Sequence, residues 1–299
     1  MKRFVPILAT CALFGCAGED DAPSRDEVRA DQEQSEQAGK ADGLDLCAEF
    51  GFYDDEVCDA WCPDVDTACT HEQLFLTASG VMVDFADNQP LVDAQVCGSG
   101  NCAAVAADGT YSVEIRKHRV VEVTTSKDGY VPALITFHTG DDSFWYTNRL
   151  PTTATYALLA SLFFGVEEVD PAKGALVTNA YRWVDGSFPH PNDNAAVFEP
   201  VAGASYTLDR IDGDAGEFKT LYFGPNGLPD PALSATSESG LSVSGELAAG
   251  IYRVMAQVPA GLDCNARLLP ALPDPPVDVY VRIRPGVLSG VWTQCITAP

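Results

Sequence analysis

Asp108-Gly109-Thr110-Tyr111-Ser112-Val113-Glu114-Ile115-Arg116 reads as a turn followed by a strand. Tyr111, Val113 and Ile115 alternate with Ser112, Glu114 and Arg116, the two-residue period of a strand with one buried and one wet face. The Asp-Gly pair ahead of it tolerates the positive φ that a tight hairpin needs. Working outward, Val120 to Ser126 reads as a second strand ending at Asp128-Gly129, and Tyr130 to His138 as a third. Near the far end Val277, Val279, Val281 and Ile283 alternate with Asp278, Tyr280 and Arg282. Short strands with turn signals between them predict a mainly β fold of antiparallel sandwich type. One segment breaks this texture. Thr152 to Phe164 carries Tyr156, Leu158, Leu159, Leu162 and Phe163 between Pro151 and Gly165, which predicts a connector helix with a glycine stop, its apolar side packed on a sandwich.

Two stretches share an order of signals. The first runs Gly80-Val81-Met82-Val83, then Pro90-Leu91-Val92-Asp93-Ala94-Gln95-Val96, then Asp108-Gly109-Thr110-Tyr111-Ser112-Val113. The second runs Gly174-Ala175-Leu176-Val177, then Pro200-Val201-Ala202-Gly203-Ala204-Ser205-Tyr206, then Ser239-Gly240-Leu241-Ser242-Val243, and ends in Gly250-Ile251-Tyr252-Arg253-Val254. Each has an opening strand, a Pro-x-x-x-Ala entry to a second strand and a glycine turn into a third. That order resembles the carboxypeptidase regulatory-like domain, a small transthyretin-like sandwich. In the first copy Ala107-Asp108-Gly109-Thr110-Tyr111 and Ser126-Lys127-Asp128-Gly129-Tyr130-Val131-Pro132 are close to that family's wording. The second copy carries an insertion ahead of Pro200 and lacks the closing Gly-Tyr-x-Pro. The resemblance covers roughly half of the mature chain. It implies two antiparallel Greek-key sandwiches, at 73–140 and 174–299, joined by a connector at 141–173 that contains the helix. Domains of that family often accompany a peptidase and aid its folding, so the resemblance also implies an accessory role toward a separate secreted peptidase.

At the start of the chain Lys2 and Arg3 precede an almost unbroken apolar stretch from Phe4 to Phe14. This is the charged start and short greasy core of a secretory signal, too short to span a bilayer. It runs into Leu13-Phe14-Gly15-Cys16, which resembles the lipobox of bacterial lipoproteins, where a diacylglyceryl group joins the cysteine thiol and the peptide is cut just ahead of it. Phe14 stands where that family prefers a small residue, and plain secretion with cleavage at Gly15-x-Ala17 is the alternative. Residues 1–15 are thus the expected lipoprotein signal peptide, and Cys16 the expected lipidation site and mature N-terminus. Two or three acyl chains, at about 0.8 kcal/mol per buried methylene, make the membrane a stable partner. Ala17 rather than Asp after the cysteine implies the outer membrane.

The formal charge is −25, and losing Lys2 and Arg3 makes it more negative still. Such a chain is repelled by nucleic acid and by anionic lipid headgroups. Residues 16–45 are polar and acidic, with runs such as Asp31-Gln32-Glu33-Gln34-Ser35-Glu36-Gln37, and predict a disordered tether. Within it Gly39-Lys40-Ala41-Asp42-Gly43 resembles a segment near the start of many surface lipoproteins.

Cys47, Cys58, Cys62 and Cys69 crowd the segment 46–72, which is too short to build a core and calls for covalent staples. Two disulfides fit an oxidising compartment, with three pairings open. Zinc is the rival, but the paired C-x₂-C knuckles of structural sites are missing. Asp54, Asp55, Glu56, Asp59, Asp64 and Asp66 lie in the same segment. They lack the twelve-residue loop with central glycine and closing glutamate that binds calcium, so a solvated acidic face is expected. Cys97 and Cys102 enclose Gly98-Ser99-Gly100-Asn101 and are placed to staple a hairpin. By elimination Cys264 meets Cys295.

Signs of catalysis are sparse. His71, His118, His138 and His190 form no constellation. His71-Glu72 opens like a zincin helix, but Phe75 stands where the second histidine belongs. Gly240-Leu241-Ser242-Val243-Ser244 breaks the nucleophile-elbow pattern at its last position. Intradiol dioxygenases place ferric iron on a related sandwich with two tyrosines and two histidines, and no close His pair on a strand serves that here. A metal-dependent enzyme of an unrecognised kind is the remaining catalytic alternative. The reading is of a non-catalytic structural or binding module at the cell surface, with no cofactor and no metal, and with a protein or glycan as partner. Candidate ligand-binding aromatics are Phe144-Trp145-Tyr146, after Asp141-Asp142, and Trp183, after Arg182. Rings beside acids suit stacking on sugar faces, and the competing reading is that they pack in the core.

Overall fold

The computed structural model describes residues 23–37, 44–53, 55–141, 143–183, 198–265 and 279–297. It opens with α1 (Arg25–Gln37), inside the segment expected to be a disordered tether. Ser24 and Glu27 form a capping box: the Ser24 N–H donates to Glu27 Oε2 at 2.8 Å and the Glu27 N–H to Ser24 Oγ at 3.3 Å. An isolated polar helix of this length is marginal in water; contacts with the rest of the molecule hold it. Val28 is buried. Gln32 is fully buried, its Nε2 donating to the Leu44 carbonyl (3.2 Å) and its Oε1 accepting from the Leu46 N–H (3.0 Å). The tether expectation is therefore corrected over 25–37, where partners invisible in the local pattern order the helix. Two short helices follow, α2 (Leu46–Phe50), stopped by Gly51 at φ 75°, and α3 (His71–Leu74), opened by Thr70.

The first half contains β1 (Phe75–Asp84), β2 (Gln95–Gly98), β3 (Asn101–Ala104), β4 (Thr110–Arg116), β5 (Val120–Ser126), β6 (Ala133–His138) and β7 (Phe144–Leu150). After α4 (Thr153–Phe164) come β8 (Lys173–Trp183), β9 (Phe198–Pro200), β10 (Ser205–Arg210), β11 (Lys219–Phe223) and β12 (Pro229–Asp230). The chain closes with β13 (Leu241–Ala248), β14 (Gly250–Gln257), β15 (Leu262–Asn265), β16 (Val279–Ile283) and β17 (Leu288–Thr297). The fold is mainly β with few helices.

The two halves repeat one pairing scheme. In the first, β1 lies between β4, antiparallel, and β7, parallel. In the second, β8 lies between β13, antiparallel, and β17, parallel. Against these stand β2–β5–β6 in the first half and β10–β14–β16 in the second, all antiparallel. The halves are not separate sandwiches. β6 pairs in parallel with β17, Ala133 opposite Leu288 through Ile135 opposite Gly290. This splice makes one sheet in the order β12-β11-β13-β8-β17-β6-β5-β2-β3, with β15 added to β17 and β9 to β8. β7, which the sequence reading left in the connector, belongs to the first three-stranded sheet.

The two three-stranded sheets cover opposite faces of the long sheet. Successive residues of a strand point to opposite faces. Trp292 on β17 meets the Tyr146 ring of β7 edge-on at 6.3 Å, whereas its neighbour Thr293 lies beside Tyr206 of β10. Each half is then completed by a helix on its remaining face. α1 packs against β5 and β16, on the face where Glu122 of β5 meets Arg282 (3.2 Å) and Arg284. α4 lies over β11 and β13: Lys219 Nζ donates to the Phe163 carbonyl at 3.0 Å, and the Phe164 ring covers Gly245 so closely that a Cβ there would sit 2.6 Å from it. The helix runs between Thr152 as cap and Gly165 as stop. It buries less than its composition promised, since only Ala160 is fully covered while Leu158 and Leu162 are 59% and 65% exposed.

Candidate functional site

The aromatic run falls on β7, where exposure alternates strictly along the strand. Phe144 and Tyr146 point inward and are buried. Phe137 lies 4.7 Å from the Phe144 ring and 4.9 Å from the Tyr146 ring, and Tyr111 meets Tyr146 edge-on at 5.5 Å. Burial pushes the Tyr111 and Tyr146 phenols well above their usual range. The Tyr111 hydroxyl crosses Gly80 to donate to the Tyr146 carbonyl at 3.3 Å. Only glycine permits this, because a Cβ at position 80 would lie 1.9 Å from that carbonyl oxygen. Phe144 and Tyr146 are thus core residues, correcting their candidacy for ligand binding; large rings supply core area first.

Trp145, between them, is 40% exposed on the outer face. Its β1 partner is Ser79, whose own partner on β4 is Ser112, with the two serine hydroxyls 3.4 Å apart. Thr147 and Arg149 continue the exposed row along β7, and Glu114 bonds His71 Nε2 at 2.9 Å on the same face of β4. This surface is one indole on an open sheet lined with hydroxyls, able to stack on a flat apolar face and hydrogen-bond beside it. Trp183 ends β8, and its ring lies outside the described residues, as do residues 1–22 with Cys16, the Gly39–Gly43 segment, His190 and the side chains of His138 and Cys264.

The four-cysteine segment takes one of its three pairings, Cys47–Cys62 and Cys58–Cys69, and Cys97 is bonded to Cys102 across the β2–β3 hairpin. Sulfurs bonded to each other leave no thiolate for zinc. Cys264 stands opposite Cys295 in the β15–β17 register, and Cys295 is disulfide-bonded. The acids of the knot do structural work. Asp66, fully buried, accepts from the N–H groups of Asp59 (2.7 Å) and Ala68 (2.9 Å), while Asp59 accepts from Trp61 Nε1 (3.1 Å) and from Arg25. Arg25 also pairs with Asp55, holding that carboxyl below the usual range, and lies 4.4 Å over the Phe52 ring. Burial pushes the Tyr53 phenol up to about 12, and its bond to the Asp45 carboxylate adds to the effect against the Asp64 N–H.

Two arginines dock the knot on the first sandwich. Arg116 Nη2 donates to the carbonyls of Ala60 (3.2 Å), Cys62 (3.1 Å) and Asp64 (3.3 Å), and Arg119 Nη1 to those of Cys62 (3.1 Å) and Pro63 (2.6 Å). Sequence reasoning missed this joint, since nothing local marks an arginine that will read carbonyls more than fifty residues away. The start of α1 it could have found: Ser24-Arg25-Asp26-Glu27 is a legible capping box. Among the described residues no group of three or more His, Cys, Asp or Glu is placed to hold a metal ion, and no helix is long and apolar enough to cross a membrane.

The geometry defines a class: a disulfide-stapled β-sandwich protein with one open, indole-bearing sheet face. No family model and no curated protein matches the sequence. Among solved structures the chain is similar to the TIE protein of Bacillus anthracis (13% identity, 75% of this chain and 34% of that one, TM-score 0.23). It is similar also to a minor pilin of Streptococcus agalactiae (12% identity, 75% and 97%, TM-score 0.25), and to the shaft pilin SpaA of Lactobacillus rhamnosus GG (9% identity, 75% and 98%, TM-score 0.23). The chain thus spans about a third of the length of the Bacillus anthracis protein. Superpositions this loose carry no conclusion about activity.

Proposed function

We propose that the chain is a non-catalytic module displayed at the cell surface, tethered to the envelope by lipid on Cys16 and binding a protein or glycan through the outer face of β4–β1–β7. The disulfide set carries the reading of export, because such bonds persist in oxidising compartments outside the cytosol. The apolar run ending at Cys16 supplies the anchor. Ala17 favours the outer membrane. Trp145 favours a ligand with a flat apolar face, such as a pyranose ring, over a purely scaffolding role, because a large indole left on an open strand face contributes little to the core. Transthyretin-like regulatory domains that assist a peptidase are the second reading, supported by the repeated strand order alone.

Two measurements test the proposal. Intact mass of the protein from membranes should show Cys16 as the first residue carrying acyl chains. A glycan array probed with wild type and Trp145→Ala should show binding that the variant loses while keeping the wild-type melting temperature. Binding unchanged by Trp145→Ala sinks this site, and a soluble product beginning elsewhere sinks the anchor.

A further inference from the structure

We infer that α1 is a strap that holds the knot end of the body against the lipid surface, instead of part of a long free tether. The inference rests on the reading that Cys16 carries the lipid. α1 begins at Arg25, and its first turn is fastened to the knot by Arg25 on Asp55 and Asp59. Val28 packs with Cys47, Trp61 and Cys62, and Gln32 is locked to the backbone on both sides of Asp45. Only residues 17–24 then separate the lipid from the docked helix. Eight residues at no more than ~3.6 Å each reach about 29 Å. An undocked segment running to Asp45 would have twenty-nine, for about 100 Å.

Because the N-terminal end of α1 sits on the knot, the knot is the part drawn toward the bilayer. Arg116 and Arg119 fix the knot to one end of the first sandwich, where β4 ends and β5 begins. β1 starts at that end with Phe75 and finishes at Asp84, which leads into the turn around Asn88. Ten residues of strand carry that turn about 30 Å further out. The exposed acids Asp26, Glu27 and Asp31 give this face no attraction of its own for anionic headgroups. Apposition therefore comes from leash length, and the Trp145 face stands along the side of the body, clear of the lipid.

The test uses the full acylated chain in phosphatidylcholine vesicles bearing a headgroup acceptor dye, with a donor fluorophore introduced at Val65 in the knot or at Asn88 in the distal turn. Energy transfer should be several-fold stronger from position 65 than from 88. Arg25→Ala with Val28→Asp should lower it at position 65. A twenty-residue Gly-Ser insertion after Ala22 leaves α1 untouched and should lower it equally, which guards against a variant that misfolds. Equal transfer from both positions, or transfer at 65 indifferent to the insertion, overturns the strap. Intact mass decides separately whether Cys16 is acylated; absence of the acyl chains removes the underlying reading, whereas acylation without the asymmetry removes only the inference.

Discussion

Replacing Arg116 with Met should loosen the knot from the sandwich and, because so short a segment has little core of its own, let the undocked knot open its backbone hydrogen bonds while the sandwich stays folded. Methionine keeps most of the apolar stem and removes the donors. Nη2 carries two hydrogens shared among three carbonyl oxygens at 3.1 to 3.3 Å, so about two full bonds to a charged donor are lost, at ~1.5–3 kcal/mol each. Released carbonyls at the edge of the joint regain water, which offsets part of that loss. Arg119 still holds Cys62 and Pro63. The net cost is about 3 kcal/mol, which is roughly a hundredfold in the population of the undocked knot. Hydrogen exchange followed by mass spectrometry reads this directly. The N–H groups of Asp59, Cys62 and Cys69, bonded to Asp66 Oδ2, the Asp59 carbonyl and the Asp66 carbonyl, should exchange about a hundred times faster. The Ala106 N–H, bonded to Thr110 across the Asp108-Gly109 hairpin, should be unchanged. Exchange that is unaltered in the knot, or faster everywhere alike, would show that the two arginines do not form the joint.

Other perturbations address other layers. Removing the Cys47–Cys62 bond by Cys47→Ala with Cys62→Ala opens a loop with sequence separation 15 and should cost about 3 kcal/mol of knot stability, visible as a lowered denaturant midpoint for α1 and the knot. Phe137→Ala removes a fully buried ring packed on Phe144 and Tyr146 and should cost about 3–5 kcal/mol globally; a melting temperature within a degree of wild type would contradict the packing. Gly80→Ala should destroy the β1–β7 ladder, detected as loss of near-ultraviolet dichroism from Tyr146. For Tyr53 the folded-state pKa is raised to about 12 from 10, so the native knot favours the neutral phenol. Its contribution is whole below pH 10 and lost as pH rises through about 12; an alkaline transition identical in Tyr53→Phe would argue against it.

The strand alternation at Tyr111-Val113-Ile115, the Asp108-Gly109 turn, and α4 between Thr152 and Gly165 were legible because each is written in neighbouring residues. A period of two, a positive φ and a glycine stop need no partner to be recognised. β7 was legible only as a loop or strand edge, because Phe144, Trp145 and Tyr146 are all large and aromatic, which hides a period-two pattern that burial makes plain. α1 escaped because its buried apolar content is a single valine, Val28, and the residues that order it lie in the knot.

What the chain's own order of residues determined was local: mainly β structure, the repeated strand grammar of the two halves, and cysteines close enough to staple. What only the folded molecule decided was who meets whom. The splice of β6 onto β17, the placement of the two small sheets on opposite faces, the choice of Cys47–Cys62 with Cys58–Cys69, and the exposure of Trp145 between two buried rings all join residues distant in sequence. Such pairings are settled by the total area buried and the polar groups satisfied in competition among many arrangements, a sum over the whole molecule to which no short window of sequence has access.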